Sequence, residues 1–404
     1  MASSDEPDIS DLRASHRGVI SIISMGDMGA GIAKLLTAHN YAVLTNVTGR
    51  SEDTLARARE ASATLVATDS HLLQADLILS IVPPASALST AQRILSASVP
   101  ANLPTPPPVY VDLNAVSPST SRSISSLFSS SPFPFLDGAI LGLPPSLISS
   151  PSHSNPSQPQ WKVPQIPISG PESLLPSPDL RSLLNVKYLG PEIGQASGLK
   201  MCFASLLKGY AAIALQSVTT AHRLGVLPEL KSALVEIQGP GADEKLERAV
   251  TGLAPKAGRW VKEMQEISST HQRDGGFDPT IFLGAAEVFR TVAQDTVLGD
   301  ENIGKRKRGT TAEDVASAIA EGLEQRSSKK RNKQGEEVQQ HNGEGESGWG
   351  FVAASSSSSF IDQGFDEMKK RREEDEEKKK EGERKRREDE EKRYYEERSR
   401  GYYH

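Results

Sequence analysis

Short apolar runs alternate with stretches of helical spacing through the first part of the chain. Val19-Ile20-Ser21-Ile22-Ile23 reads as a buried strand, Gly31 to His39 as a helix, Tyr41 to Thr45 as a second strand, and Ser51 to Ala63 as a helix with a charged face. Leu65-Val66-Ala67, Leu77 to Val82, Val109 to Leu113 and Phe135-Leu136-Asp137 continue the series of strands, the run from Leu77 being stopped by Pro83-Pro84. Strands that alternate with helices predict an α/β domain with a mostly parallel, doubly wound sheet. Two Pro/Ser-rich stretches interrupt the pattern. Ser98 to Pro108 reads as a loop and Pro144 to Pro159 as a longer surface insertion, after which Val163 to Ser169 and Val186 to Leu189 complete the sheet.

From Gln195 the period changes. Ala196 to Leu224 is a long apolar helix without internal proline, followed by helices over Pro228–Gln238, Asp243–Leu253, Ala257–Gln272, Pro279–Gln294 and Thr311–Gln325. The chain therefore divides into a flexible N-terminus (1–17), an α/β domain (18–194, with the insertion at about 144–160), an all-helical domain (195–325) and a low-complexity charged tail (326–404). Within the tail, Ser355 to Ser359 is a flexible linker. Asp366 to Arg400 is a mixed-charge run, either a solvated single helix or disordered, with no sustained apolar a/d repeat.

Composition narrows the class. The formal net charge of −6 over 404 residues excludes a general nucleic-acid binder. The single cysteine, Cys202, forms no intrachain disulfide, which fits a reducing compartment. The polar N-terminus shows neither a signal nor a transit peptide, and no apolar run approaches the length of a membrane span, so the expectation is a soluble cytoplasmic protein with no membrane partner. The basic clusters Lys305-Arg306-Lys307-Arg308 and Lys329-Lys330-Arg331 keep nuclear import open as an alternative to simple solvated charge. The histidines show no metal-ligand spacing, so no metal site is expected, and Cys202 reads as a core residue.

Ser24-Met25-Gly26-Asp27-Met28-Gly29 follows the first strand and opens a helix, the place of a G-x-G-x-x-G turn with serine at the first glycine position. Gly26 lets the backbone approach a pyrophosphate, Gly29 lets helix pack on strand, and the helix N-terminus offers N–H donors to phosphate. The strand–turn–helix context points to a Rossmann dinucleotide site rather than a merely structural turn. At the end of the second strand, Asn46-Val47-Thr48-Gly49-Arg50-Ser51 has no carboxylate for a ribose 2′-hydroxyl, while Arg50 and Ser51 suit a 2′-phosphate. That favours NADP (NADPH); the plainer alternative is that Arg50 and Ser51 cap the next helix. Lys200 lies in an apolar stretch beside Met201, Cys202 and Phe203, either as a partly buried acid/base with a lowered pKa or as a snorkelling lysine.

Four motifs occur in order: Gly26-Asp27-Met28-Gly29; Asp112-Leu113-Asn114-Ala115-Val116-Ser117-Pro118; Asp137-Gly138-Ala139-Ile140-Leu141-Gly142; and Gly194 through Lys200. With them the chain, from about Gly18 to Gln294, resembles the β-hydroxyacid dehydrogenase and 6-phosphogluconate dehydrogenase family. In Leu199-Lys200-Met201, Lys208-Gly209 and Trp260-Val261-Lys262-Glu263-Met264 it looks like a subgroup with a phosphogluconate dehydrogenase-like C-terminal domain of unknown function. The resemblance implies that Lys200 is the catalytic acid/base and that backbone N–H groups of Gly138, Ala139, Ile140, Leu141 and Gly142 receive a substrate carboxylate. It implies that Val82, Pro83 and Asn114 flank the cofactor and that the interdomain helix packs across a two-fold axis in a homodimer. Lys208, two turns beyond Lys200, offers a second polar group or else a solvated one. The chain departs from the family at Phe203 and Ala204, where an Asn is usual, at Ile140-Leu141, at Asn114 and at Ser24.

The resulting expectation is an NADP-dependent oxidoreductase of a small hydroxyacid or related carbonyl substrate. The alternative is a non-catalytic NADP-binding or scaffold protein whose charged tail engages a protein partner. Imine or keto-acid reductive amination ranks lower, because relatives with that chemistry usually replace the lysine.

Overall fold

The computed structural model describes residues 8–148, 160–301 and 306–341. It opens with α1 (Ile9–Ser15), capped by the Asp8 carboxylate, which accepts from Ser10 N at 2.8 Å. Ile9 is buried and Arg13 pairs with Asp76, so these residues of the N-terminal segment are ordered where flexibility was expected. One apolar anchor, one cap and one ion pair hold a helix too short to show a periodic pattern.

Then come β1 (Val19–Ile23), α2 (Asp27–Ala38), β2 (Ala42–Thr45), α3 (Glu52–Glu60), β3 (Thr64–Leu65), α4 (Asp69–Leu72), β4 (Leu77–Ser80), α5 (Ala87–Leu95), β5 (Val109–Asp112), α6 (Pro118–Phe128) and β6 (Phe135–Gly138). The short strands β7 (Ser146–Leu147) and β8 (Trp161–Lys162) pair with each other where the Pro/Ser-rich insertion was expected. β9 (Ile166–Ser169), α7 (Pro178–Leu183) and β10 (Val186–Gly190) close the α/β part. The main sheet runs β3-β2-β1-β4-β5-β6-β9-β10, parallel throughout except where β9 meets β6. Every residue of β1, β2 and β4 is buried, as helices on both faces require. The strand order reverses direction between β1 and β4, and in such sheets ligands bind beyond the carboxyl ends of the strands at that point.

The helical part comprises α8 (Gln195–Leu224), α9 (Leu227–Gln238), α10 (Ala242–Thr251), α11 (Ala257–Arg273), α12 (Thr280–Asp295) and α13 (Ala312–His341). Its core joins Leu215 and Val218 of α8 to Met264 and Ile267 of α11, Phe289 of α12 and Ile319 of α13. Trp260 meets Phe289 edge-on at 5.2 Å. α13 runs beyond the expected end at Gln325, although Leu323 is the last residue that packs on this core. Arg306 and Arg308 of the first basic cluster are engaged locally, Arg308 with Asp314 at 2.6 Å. Residues 334–404 form a separate unit of which only 334–341, helical, are described; the expected serine linker and charged run lie outside the described residues.

By length and composition α8 is apolar enough to cross a membrane, with a mean hydropathy of 1.3 over its most apolar window, which corrects the expectation that no run approaches that length. In the fold it is the central helix, packed on β6, β9, α6, α10, α11 and α12. Its remaining faces carry exposed apolar side chains, among them Phe203, Leu206, Leu207 and Ile213.

The start of α8 is fixed by one carboxylate. Asp137, at the end of β6, has no solvent exposure. Its Oδ1 accepts from the hydroxyls of Ser121 on α6, at 2.8 Å, and of Ser197 on α8. Its Oδ2 accepts from Ser169 Oγ on β9 and Gly194 N, both at 2.9 Å, and from Ser197 N at 3.1 Å. Two of the N–H groups that a helix start leaves unpaired thus meet a full negative charge at the positive end of the helix dipole. Asp137→Ala should leave these donors buried and unpaired. Urea unfolding should then show a loss of about 3 kcal/mol or more, and a loss under about 1 kcal/mol would mean that the donors find other partners.

Candidate functional site

The glycine turn is the first turn of α2, with Gly26 at the N-cap, so the helix begins earlier than periodicity suggested. Gly29 is required by contact: a Cβ there would stand 2.1 Å from the Ser24 carbonyl oxygen. Ser24 itself takes φ = +79°, the left-handed conformation that explains why glycine is usual at this place. At Gly26 a Cβ would meet nothing within 4 Å, which leaves the turn open on the side where a phosphate would lie. Asp27 is exposed and Met28 half-buried.

Beyond the ends of β1, β2 and β4 lies a cavity of about 510 Å³. Ser24, Met25, Asn46, Arg50, Val82 and Pro83, all expected at the cofactor, line it together. Sequence reading missed Thr48, Thr54, Ser86, Ser89, Thr90 and Arg93, which add to the lining from loops, from α3 and from α5 with no motif to mark them. Ser51 is the N-cap of α3, yet its side chain makes no capping bond to the backbone and instead meets Thr54 Oγ1 at 3.1 Å. Arg57 reaches from α3 to the Met25 carbonyl at 2.8 Å and ties the glycine turn to α3. The Arg50 guanidinium is exposed and makes no ion pair among the described residues.

Asn114 is buried and both ends of its amide are engaged: Oδ1 accepts from Val82 N at 2.6 Å and Nδ2 donates to Ser80 Oγ at 3.1 Å. It thereby ties the turn after β4 to the end of β5. Asp112, buried beside it, is pushed up to about 7 by its burial and then by the charge of Asp137, against the hydrogen bond from Asn114 N.

Lys200 projects from the second turn of α8, and its Nζ donates to the Ile140 carbonyl at 2.6 Å. Burial, then the Arg259 cation, lowers its pKa to about 8. Lys208 lies on the same helix and pairs with Glu263 of α11, which also holds Arg259 Nε at 3.2 Å. Burial, then the cations of Lys200, Arg259 and Lys256, pushes Lys208 down to about 7. Lys208 is thus a buried, paired group with its Nζ 5.4 Å from the Trp260 ring centre, not a solvated lysine. Of this cluster the sequence patterns flagged Lys200, Lys208 and Glu263; nothing marked Lys256 or Arg259. α11 also packs on the turn Pro84–Ser86, which adjoins the cavity through Ser86.

The segment 138–142 differs from the expected carboxylate nest. Ala139 N donates to the Pro167 carbonyl at 3.0 Å and Leu141 N to the Gln165 carbonyl at 2.8 Å, so strand-like pairing takes two of its donors. Gly138 belongs to β6, where a Cβ would meet Leu113 Cδ2 at 2.6 Å; Gly142 adopts φ = +137°. What the segment offers Lys200 is the Ile140 carbonyl, an acceptor. Ala204 is buried in the helical core and Phe203 is exposed, so no polar group replaces the usual Asn one turn beyond the lysine. Cys202 is exposed, not in the core, and lines a second cavity with Arg122 and His271. No group of metal-ligating side chains occurs among the described residues.

Residues 19–102 match the family described as NADP oxidoreductase coenzyme F420-dependent, and residues 221–292 match the domain of unknown function DUF1932. An uncharacterised 28.5 kDa protein of Methanothermus fervidus is 27% identical over 252 residues, which cover 61% of this chain and 88% of that protein. A conserved hypothetical protein of Sinorhizobium meliloti has the same fold with a TM-score of 0.51 and 20% identity, over 75% of this chain and 96% of the other. So does the Mycobacterium tuberculosis 3-hydroxyisobutyrate dehydrogenase, with a TM-score of 0.51 and 15% identity over 75% and 98%. The chain thus joins an NADP oxidoreductase-type domain, which carries the glycine turn, to a long lysine-bearing helix and a DUF1932 domain, in the fold it shares with that dehydrogenase.

Proposed function

We propose that the chain is an NADP-dependent dehydrogenase or reductase that interconverts a small hydroxyacid, or a related hydroxy compound, with its carbonyl form. The observation that carries this reading is Lys200, half-buried with a lowered pKa, on a helix whose neighbour α11 packs on the turn beside the dinucleotide cavity. The donor set fits the cofactor. The α2 N-terminus and the open Gly26 face suit a pyrophosphate, and the unpaired Arg50 suits a 2′-phosphate. Bound there, the nicotinamide supplies hydride exchange with the carbinol carbon. Lys200 supplies the other half of the balance. In oxidation its neutral amine takes the hydroxyl proton as the C–H bond gives up hydride; in reduction its ammonium returns that proton to the carbonyl oxygen. The Ile140 carbonyl holds Nζ in place, and the surrounding cations Lys208, Lys256 and Arg259 favour an acid as substrate.

Phe203 and Ala204 support a second reading, a dinucleotide-binding protein without turnover, because the usual Asn partner of the lysine is replaced. Cytoplasmic residence remains part of the proposal, on the reducing character expected for a chain with one cysteine. Exposed Phe203, Leu206, Leu207 and Ile213 on α8 support a homodimer through that helix.

NADPH should bind about tenfold or more tightly than NADH, about 1.4 kcal/mol, and Arg50→Ala should erase most of the difference. Equal affinities in the unaltered protein, measured by nicotinamide fluorescence, would refute the NADP assignment. Lys200→Ala should keep NADPH affinity and lower turnover by roughly 10²–10⁴ in a screen against hydroxyacids. Because Lys200 must be neutral to accept a proton, kcat/KM for oxidation should climb with pH and level off above about 8, while reduction, which needs the ammonium, should decline above about 8. A flat profile with an active Lys200→Ala protein would move the proton transfer to another group. For assembly, light scattering should report a dimer that Leu206→Glu with Ile213→Glu converts to a monomer; a dimer that survives both changes would place the interface elsewhere.

A further inference from the structure

A second cation faces the cofactor cavity besides Arg50. Arg93, on α5, lines the same cavity, and its Nη1 pairs with Asp69 Oδ2 at 2.5 Å. Asp69 opens α4, just beyond β3, and its other oxygen accepts from Asn46 Nδ2 at 2.9 Å. Asn46 in turn accepts from Thr48 N at 3.0 Å and so shapes the loop that carries Arg50. Asp69 does not line the cavity, and its side chain is only 14% exposed, but both of its partners do line it.

We infer that Arg93 is a second determinant of dinucleotide choice, acting by covering the Asp69 carboxylate. The inference rests on the nicotinamide reading of this cavity. A carboxylate at the adenosine end of a Rossmann site accepts from the ribose 2′-hydroxyl and repels a 2′-phosphate. Sequence reading found no such carboxylate at the end of β2, but the fold brings one, Asp69 of α4, close behind that loop, where it accepts from Asn46. What prevents it from selecting NADH is Arg93, which lines the cavity and neutralises the carboxylate by pairing with it. Arg50, Arg93 and Asp69 together leave one net positive charge beside the loop, the sign a 2′-phosphate needs. Asp69 is then a positioning residue: it holds Arg93 toward the cavity and Asn46 in its turn, provided that it stays paired. The Arg93 side chain is 49% exposed, so its removal leaves no void in the core.

The experiment is a titration of the full chain with NADPH and with NADH, read by nicotinamide fluorescence, for the wild type, Arg93→Ala, and Arg93→Ala combined with Asp69→Asn, each checked for an unaltered thermal midpoint. Arg93→Ala should lower the NADPH-to-NADH affinity ratio about tenfold, mostly through NADPH, as an uncovered carboxylate meets the 2′-phosphate. Adding Asp69→Asn should recover about threefold or more of the NADPH affinity, because the repelling charge is gone while the amide still bonds Asn46. An unchanged ratio in Arg93→Ala overturns the inference alone, as does a double variant no better than the single one. Wild-type protein that binds neither dinucleotide overturns the inference together with the functional reading beneath it.

Discussion

Burial of the Asp137 carboxylate is the constraint on which the arrangement of the two domains depends. The side chain is removed from water at the carboxyl edge of the sheet, where an unpaired charge would cost several kcal/mol, and it is tolerated because five donors converge on it. Those donors belong to α6, β9 and the first turn of α8, so satisfying one charge brings three elements to one point. The direction of α8 follows. A helix whose first N–H groups are pinned to β6 must leave the sheet edge at that place, and Lys200 then stands one turn beyond Ser197, against the Ile140 carbonyl. The segment that begins with this aspartate is thus a structural anchor.

The dinucleotide cavity rests on a different economy, that of backbone approach. Gly29 brings α2 within reach of the Ser24 carbonyl, and Ser24 accepts a left-handed conformation at a cost of about 1 kcal/mol to turn the chain from β1 into α2. Arg57 and Asn114 then secure the walls: the first ties α3 to the turn through the Met25 carbonyl, the second ties the turn after β4 to β5 through Val82 N. None of these side chains needs to touch a ligand, and each fixes a segment that lines the cavity.

Most of this fold was legible because its strands are buried on both faces and so read as unbroken apolar runs: β1, β4 and β5 stand where Val19–Ile23, Leu77–Val82 and Val109–Leu113 placed them. The helices α9 to α12 match their periodic segments within two residues. What escaped reading lacked periodicity. α1 has one buried side chain, and the start of α2 is masked by Gly26 and Gly29, whose low helix propensity hides a turn that needs Gly29. At the site, the glycine turn, Arg50 and Lys200 were visible because local spacing carries them. Arg93, Asp69, Lys256 and Arg259 were not, since their meaning comes from contacts between segments far apart in the chain. The backbone of 138–142 misled for a related reason: its pairing with 165–167 is set by the antiparallel approach of β9, which no local pattern announces.

The polar logic of the lysine cluster follows from the same long-range placement. Lys200 and Lys208 project from one face of α8 into a region where α11 contributes Arg259 and one carboxylate, Glu263. Glu263 binds Lys208 and Arg259 and leaves Lys200 with a neutral acceptor, the Ile140 carbonyl. The ion pair with Glu263 holds the Lys208 amine against α11. A lysine that is buried, near a cation, and held by a carbonyl has no anion to stabilise its charge, and its pKa falls into the range where it can exchange a proton. The position of Glu263, one contact away from Lys208 and not from Lys200, therefore separates the two lysines chemically. It makes Lys208 the anchored lysine and leaves Lys200 held by a carbonyl, although in sequence they are the same residue repeated two turns apart.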